Sequence, residues 1–254
     1  MSRPGLLPPL VLLLLGPLLP GSAAALGSRF ILSSPPLDPP VSRIGEARYR
    51  VSGGLRQYSS SDADLTGLTL GVARRQALEG PFAFTLGGQF DYVSGTARLR
   101  SGDDDLTLWR TTLYAIGEYR HRFTPDLGAV LFAGPKVGYG EYEMDYRPAT
   151  TLPEEHVDGR EETYGYLVGV RAPVKAGGDL RLTPFLSYEA LDARARERRT
   201  AAGNRTLDRT YEITQYGVEL RFVSTGLTLG ATVQHWTDGT ADTTYNLYQV
   251  GYQF

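Results

Sequence analysis

The sequence predicts an all-β fold, a transmembrane antiparallel up-and-down β-barrel of ten strands, with eight or twelve as the alternatives. Three observations carry this. From Ala47 onward, apolar residues alternate with small or polar ones, the two-residue period of a strand lying between two environments. The connections between these runs alternate as well, compact and then longer and charged. Composition agrees: the 254 residues include 30 glycines and 16 tyrosines, carry a formal charge of −2, and show no long amphipathic helical pattern.

The absence of cysteine excludes a disulfide framework, a thiolate zinc site, a cysteine nucleophile and a lipidated N-terminal cysteine. Three histidines leave little material for a metal centre, so no metal or cofactor is expected. A near-neutral charge gives no reason to expect nucleic acid as a partner.

Taken in order, residues 1–25 read as a secretory signal peptide. Arg3 supplies the positive start, Leu6 to Leu19 the apolar centre, and Gly21-Ser22-Ala23-Ala24-Ala25 the small residues at the cleavage site. The longest unbroken apolar run, Leu10 to Leu15, is too short to cross a bilayer. Residues 26–46, with Pro35-Pro36 and Pro39-Pro40, form an extended periplasmic lead-in, and 47–254 form the barrel.

Strands are expected at 47–58, 65–75, 82–93, 106–122, 127–145, 163–173, 180–193, 209–222, 227–236 and 243–254. The alternation is clearest at Leu127, Ala129, Leu131, Ala133, Val137 and Tyr139, and at Phe82, Phe84, Leu86, Phe90 and Tyr92. Leu227, Leu229, Ala231 and Val233 repeat it. A soluble sandwich would turn these residues inward, whereas a membrane barrel turns them to lipid. Loop lengths decide for the barrel. Gln76 to Pro81, Thr124 to Asp126, Val174 to Asp179 and Val223 to Gly226 are compact. Ser59 to Asp64, Ser94 to Asp105, Tyr146 to Glu162 and Asp192 to Asp208 are mostly longer and charged. An even strand count then puts both termini on the short-turn side.

With apolar residues facing lipid, Arg48, Arg50, Arg56, Asp91, Glu118, Arg120, Lys136, Arg171, Arg181, Glu189, Glu219 and Arg221 face the lumen. An Arg or Lys facing lipid at mid-depth would cost about 2–4 kcal/mol. Both signs are present in similar number, which favours an ion-pair network that plugs the lumen over a narrow polar pore. Phe82, Trp109, Phe123, Tyr164, Tyr166, Phe222, Trp236, Tyr252 and Phe254 lie near strand ends and are expected to form two aromatic girdles. In the loop after the seventh strand, Arg194, Arg196, Arg198, Arg199 and Arg205 are candidates for binding anionic groups of surface lipid, or for pairing with the acidic loop at 146–162.

Tyr248, Val250, Tyr252 and Phe254 share one face of the last strand. This resembles the terminal aromatic signature of Gram-negative outer-membrane β-barrels. The resemblance implies export to the periplasm, delivery by the barrel-assembly machinery, and a setting of outer-membrane lipid and lipopolysaccharide. Ten strands are similar in number to the omptin proteases. Asp103 to Asp105 and His156 with Asp158 stand where that family's acidic pair and Asp-His pair would be sought, but the chain reads His-x-Asp where omptins read Asp-x-His. His235-Trp236-Thr237 and Gln249 are similar in placement to the site of lipid A deacylases, with Thr and Gln where that site has Ser and Glu. No catalytic residue is therefore assigned. The leading expectation is a structural or surface-interaction barrel acting through charged external loops, with a narrow channel second and an enzyme third.

Overall fold

The computed structural model describes residues 47–59, 63–99, 102–146, 155–200, 203–237 and 242–253. The expected signal peptide, the proline-rich lead-in and Phe254 lie outside them. Eleven strands follow in order: β1 (Ala47–Ser59), β2 (Ala63–Ala77), β3 (Phe82–Leu99), β4 (Gly102–Arg122), β5 (Gly128–Tyr146), β6 (Glu155–Arg171), β7 (Val174–Gly177), β8 (Leu180–Arg199), β9 (Gly203–Phe222), β10 (Leu227–Thr237) and β11 (Asp242–Gln253). Each pairs antiparallel with its neighbour, β1 pairs with β11, and β6 pairs with β8, so the sheet closes on itself. The four-residue β7 continues the line of β6 beyond Ala172-Pro173 and pairs with the start of β8. Pro173 has no N–H to give a ladder and breaks the strand there. Ten strands therefore form the closed wall, as predicted.

The face assignment follows the predicted parity. Leu68, Leu70, Val72, Phe84, Leu86, Leu113, Leu131, Val137, Val168, Leu186, Leu229 and Val250 are exposed on the outside, as a lipid-facing band requires. Aromatic residues border it. Tyr92, Trp109, Tyr139 and Tyr164 lie toward the long-loop end, with the Trp109 and Tyr139 ring centroids 5.8 Å apart. Tyr49, Phe82, Tyr119 and Tyr252 lie toward the short-turn end, with Phe82 and Tyr119 5.6 Å apart.

Strand lengths depart from the sequence expectation. The segments expected as long loops are largely strand: β3 and β4 leave only 100–101 between them, β5 and β6 leave 147–154, and β8 and β9 leave 200–202. Strands reach 21 residues, whereas a tilted strand crosses a bilayer in about 9–11. The wall therefore projects well past the outer girdle. Charged residues read as loop because they sit on a solvated face, but the main-chain ladder is indifferent to them.

The interior is filled in tiers. Beyond the outer girdle Leu65, Val93, Leu106, Leu108, Tyr142, Met144, Val157, Leu191, Ala193, Tyr211, Ile213 and Trp236 form one apolar cluster. Trp236, expected in a girdle, points inward and packs against Tyr211 at 4.9 Å. Below lies a polar tier within the membrane, and at its level a small cluster of Ile116, Phe132 and Leu167, with Phe132 opposite Glu118 and Leu167 opposite Glu189 in register. Glycines admit the larger rings: Tyr142 lies across Gly159 so closely that a Cβ there would fall 2.0 Å from the ring.

Candidate functional site

The polar tier is built by residues whose strand parity leaves them no outlet to lipid. Lys136 of β5 donates to Glu189 of β8 at 2.7 Å, Gln215 of β9 donates to the same carboxylate at 2.5 Å, and Gln234 of β10 donates to Gln215 at 2.8 Å. Four strands are thereby tied across the barrel. Arg56 meets Asp91 at 2.6 Å, and Arg50 meets Glu219 at 2.7 Å with Thr228 at 2.9 Å. Glu118 accepts from Arg75 and from the Thr85 hydroxyl at 2.9 Å, and forms an ion pair with Arg171 at 2.8 Å. Arg110 donates to Thr163 and lies 3.9 Å from Glu161. Arg110, Glu161 and Gln215 were not singled out from sequence, although each follows from its parity.

Of the predicted lumen residues, Arg50, Asp91, Glu118, Lys136, Glu189 and Glu219 are buried in this tier, and Arg171 is half-buried at its edge. Arg221 is also half-buried, near the short-turn end. Arg48 has the same inward parity but sits exposed at the short-turn rim. Buried ion pairs of this kind hold register and exclude water. Their net stabilisation is small because desolvation offsets most of the attraction.

Above the outer girdle the outside of the wall is charged. Glu141, Glu143 and Asp145 on β5 face Arg160, Asp158 and His156 on β6, and Arg194, Arg196 and Arg198 follow on β8. Arg160 lies 3.3 Å from Glu141, and Arg194 lies 3.6 Å from Asp208. The five arginines expected together in a loop are instead on β8 and β9 and divide between the two faces. Arg194, Arg196 and Arg198 point outward. Arg199 turns inward and contacts Glu197 at 3.1 Å, and Arg205 lies opposite Glu197 in register. The two-residue period imposes this division once the segment is strand.

The candidate enzyme residues do not converge. His156 stands on the outer wall between Asp145 at 2.5 Å and Asp158 at 3.0 Å. Hydrogen bonding to Asp145 is the largest influence raising its pKa; burial opposes it and Asp158 adds to it. Asp105 is exposed on β4, and the side chains of Asp103 and Asp104 lie outside the described residues. His235 is exposed on the outside, 3.4 Å from Thr244, whereas Gln249 is buried in the lumen. The wall of the barrel separates them.

At the C-terminal strand, Tyr248, Val250 and Tyr252 are exposed to the lipid side, and Leu247, Gln249 and Gln253 face inward. The aromatic face predicted there is therefore presented to the membrane.

No protein-family model matches the chain, and no curated protein sequence matches it. Solved structures do. The chain is similar to the outer membrane protease OmpT from Escherichia coli, with 9% identity and a TM-score of 0.55, covering 85% of this chain and 99% of that one. It is also similar to the translocator domain of the autotransporter NalP from Neisseria meningitidis, with 14% identity and a TM-score of 0.47, covering 84% and 90%. At these identities the likeness is one of fold. The chain is a closed ten-stranded antiparallel barrel with the fold of Gram-negative outer-membrane β-barrels.

Proposed function

We propose that this chain is a non-conducting surface barrel of the outer membrane. On this reading it is exported through the signal at 1–25, with 26–46 in the periplasm, and is inserted by way of the Tyr248, Val250 and Tyr252 face. Its working surface is the charged wall beyond the outer girdle, where the sequence had suggested charged loops.

One observation carries the reading. Above the girdle the lumen holds an apolar cluster of twelve buried residues, and the outside of the same strands is charged. A conducting pore needs a hydrated path, and a packed apolar layer offers water no hydrogen-bond partners. The charged residues exposed to a partner are on the outside. Arg194, Arg196 and Arg198 stand at alternate positions on β8, spaced to meet phosphate groups of outer-leaflet lipopolysaccharide or an external anionic partner.

The test is single-channel recording of the refolded chain in a planar bilayer, with insertion confirmed independently. A silent bilayer is expected, and stable, repeatable steps would replace this reading with a narrow channel. In parallel, binding to vesicles containing lipopolysaccharide should weaken in R194Q/R196Q/R198Q. Unchanged binding would remove the wall from the proposal.

A further inference from the structure

At the short-turn end the lumen opens to solvent as a vestibule of about 130 Å³, whose lining includes Arg75, Arg120, Arg171, Arg181 and Arg221. Two features set it apart from the balanced tier above. First, two arginines stand directly opposite one another on neighbouring strands, Arg181 against Arg221 across β8 and β9. Like charges in cross-strand pairs destabilise a sheet. Second, the carboxylates in and beside the lining are committed elsewhere, Glu118 to Arg75 and Arg171, Glu219 to Arg50, and Asp126 to Lys175 at 4.0 Å. Among the described residues Arg181 and Arg221 make no ion pair, and the buried Nε of Arg221 has no hydrogen-bond partner.

We propose that this vestibule binds a multiply charged phosphate-type oxyanion. An anion seated between Arg181 and Arg221 would turn a repulsive cross-strand pair into two attractive contacts. Guanidinium is suited to it, because its planar fork of donors matches phosphate oxygens two at a time. Arg171 is already held in place, with its guanidinium carbon 5.4 Å from the Phe132 ring centroid and one nitrogen on Glu118. The β-wall separates the vestibule from lipid, so the ligand is a soluble molecule of the compartment at the short-turn end, not a lipid headgroup. The polar tier and the apolar cluster close the lumen above it, so the ligand enters and leaves by the same mouth.

The test uses the refolded full chain in detergent micelles, with tripolyphosphate as the probe and isothermal titration as the readout at low ionic strength. The wild type should bind with about 1:1 stoichiometry, and R181Q/R221Q should raise Kd about tenfold or more, because charge-assisted contacts are lost. The outer-wall variant R194Q/R196Q/R198Q should leave Kd unchanged. A second measurement guards against misfolding. Without probe, R181Q/R221Q should unfold at a higher urea concentration than the wild type, since the like-charge pair is gone. Added tripolyphosphate at a concentration near the wild-type Kd should then stabilise the wild type and shift the variant much less. No wild-type binding overturns the proposal. So does binding that survives R181Q/R221Q, or that is lost with the outer-wall arginines. Binding seen only when phosphatidylglycerol vesicles replace micelles would assign the phosphate to a headgroup and overturn the soluble ligand.

Discussion

Lys136 shows what a buried charge does in a barrel. Its ammonium, Glu189, Gln215 and Gln234 form a chain across β5, β8, β9 and β10, and removing one end strands the other. Lys136→Met should destabilise the barrel by about 3–5 kcal/mol, because Glu189 loses its counter-charge in a dry interior. The double variant K136M/E189Q should recover much of that loss; urea unfolding in lipid vesicles measures both, and an undiminished single variant would show that the pair is not dry. His156 behaves differently because it is half-exposed on the outer wall between two carboxylates. Its pKa is raised, so its charged contact with Asp145 and Asp158 is fully present below pH about 6.5 and is lost as pH rises through the folded value. An imidazole NMR titration should give a midpoint above the ordinary histidine value, and Asp145→Asn should lower it. An unshifted midpoint in the wild type would mean that the ring swings free in solution.

Strand existence and facing were readable because the two-residue alternation persists wherever lipid is one of the two environments. Leu113, Leu131, Leu229 and Val250 all lie outside as that period requires. What sequence concealed was the upper wall. On β4 the inward parity never changes, yet Leu106 and Leu108 are buried whereas Thr111 and Leu113 of the opposite parity meet the outside. The register is constant and the solvent changes. Hydrophobicity therefore switches face partway along a strand, and a reader who assigns the apolar face to lipid stops the strand at the switch. Trp236 reads as a girdle residue for this reason, and Arg199 reads together with its outward neighbours because a loop has no parity. The candidate site was legible only where lipid fixed the faces, as at Lys136 and Glu219. Ring-on-glycine contacts were not legible, because the partner of Gly159 lies across β5 and β6. Gly159→Ala should cost about 1–3 kcal/mol by forcing the Tyr142 ring aside. Trimming that ring in Y142L should make the same change nearly neutral, as a double-mutant cycle of unfolding free energies would record.

As a whole the molecule is two barrels in series that share one set of strands: a lipid-facing half with a polar inside, and a water-facing half with an apolar cluster inside and the buried Glu197 and Arg199 beyond it. From Asp192, opposite the girdle residue Tyr164 in register, to Arg198 the chain climbs six residues along β8, which at about 3.3 Å each and a tilt near 40° is about 15 Å of wall. The girdle therefore works as a waterline. In a bilayer thicker than the apolar band the barrel has no freeboard to give up, because the next outward rows are Glu141, Asp158, Arg160 and Arg196. The surrounding lipid must thin to meet it. Reconstituted into vesicles of increasing acyl-chain length, the chain should keep its depth, read by the protection of outer-wall residues from aqueous labels, while its neighbours in the bilayer give way. A barrel ballasted in this manner sorts itself toward thin membrane and gathers thin patches around it.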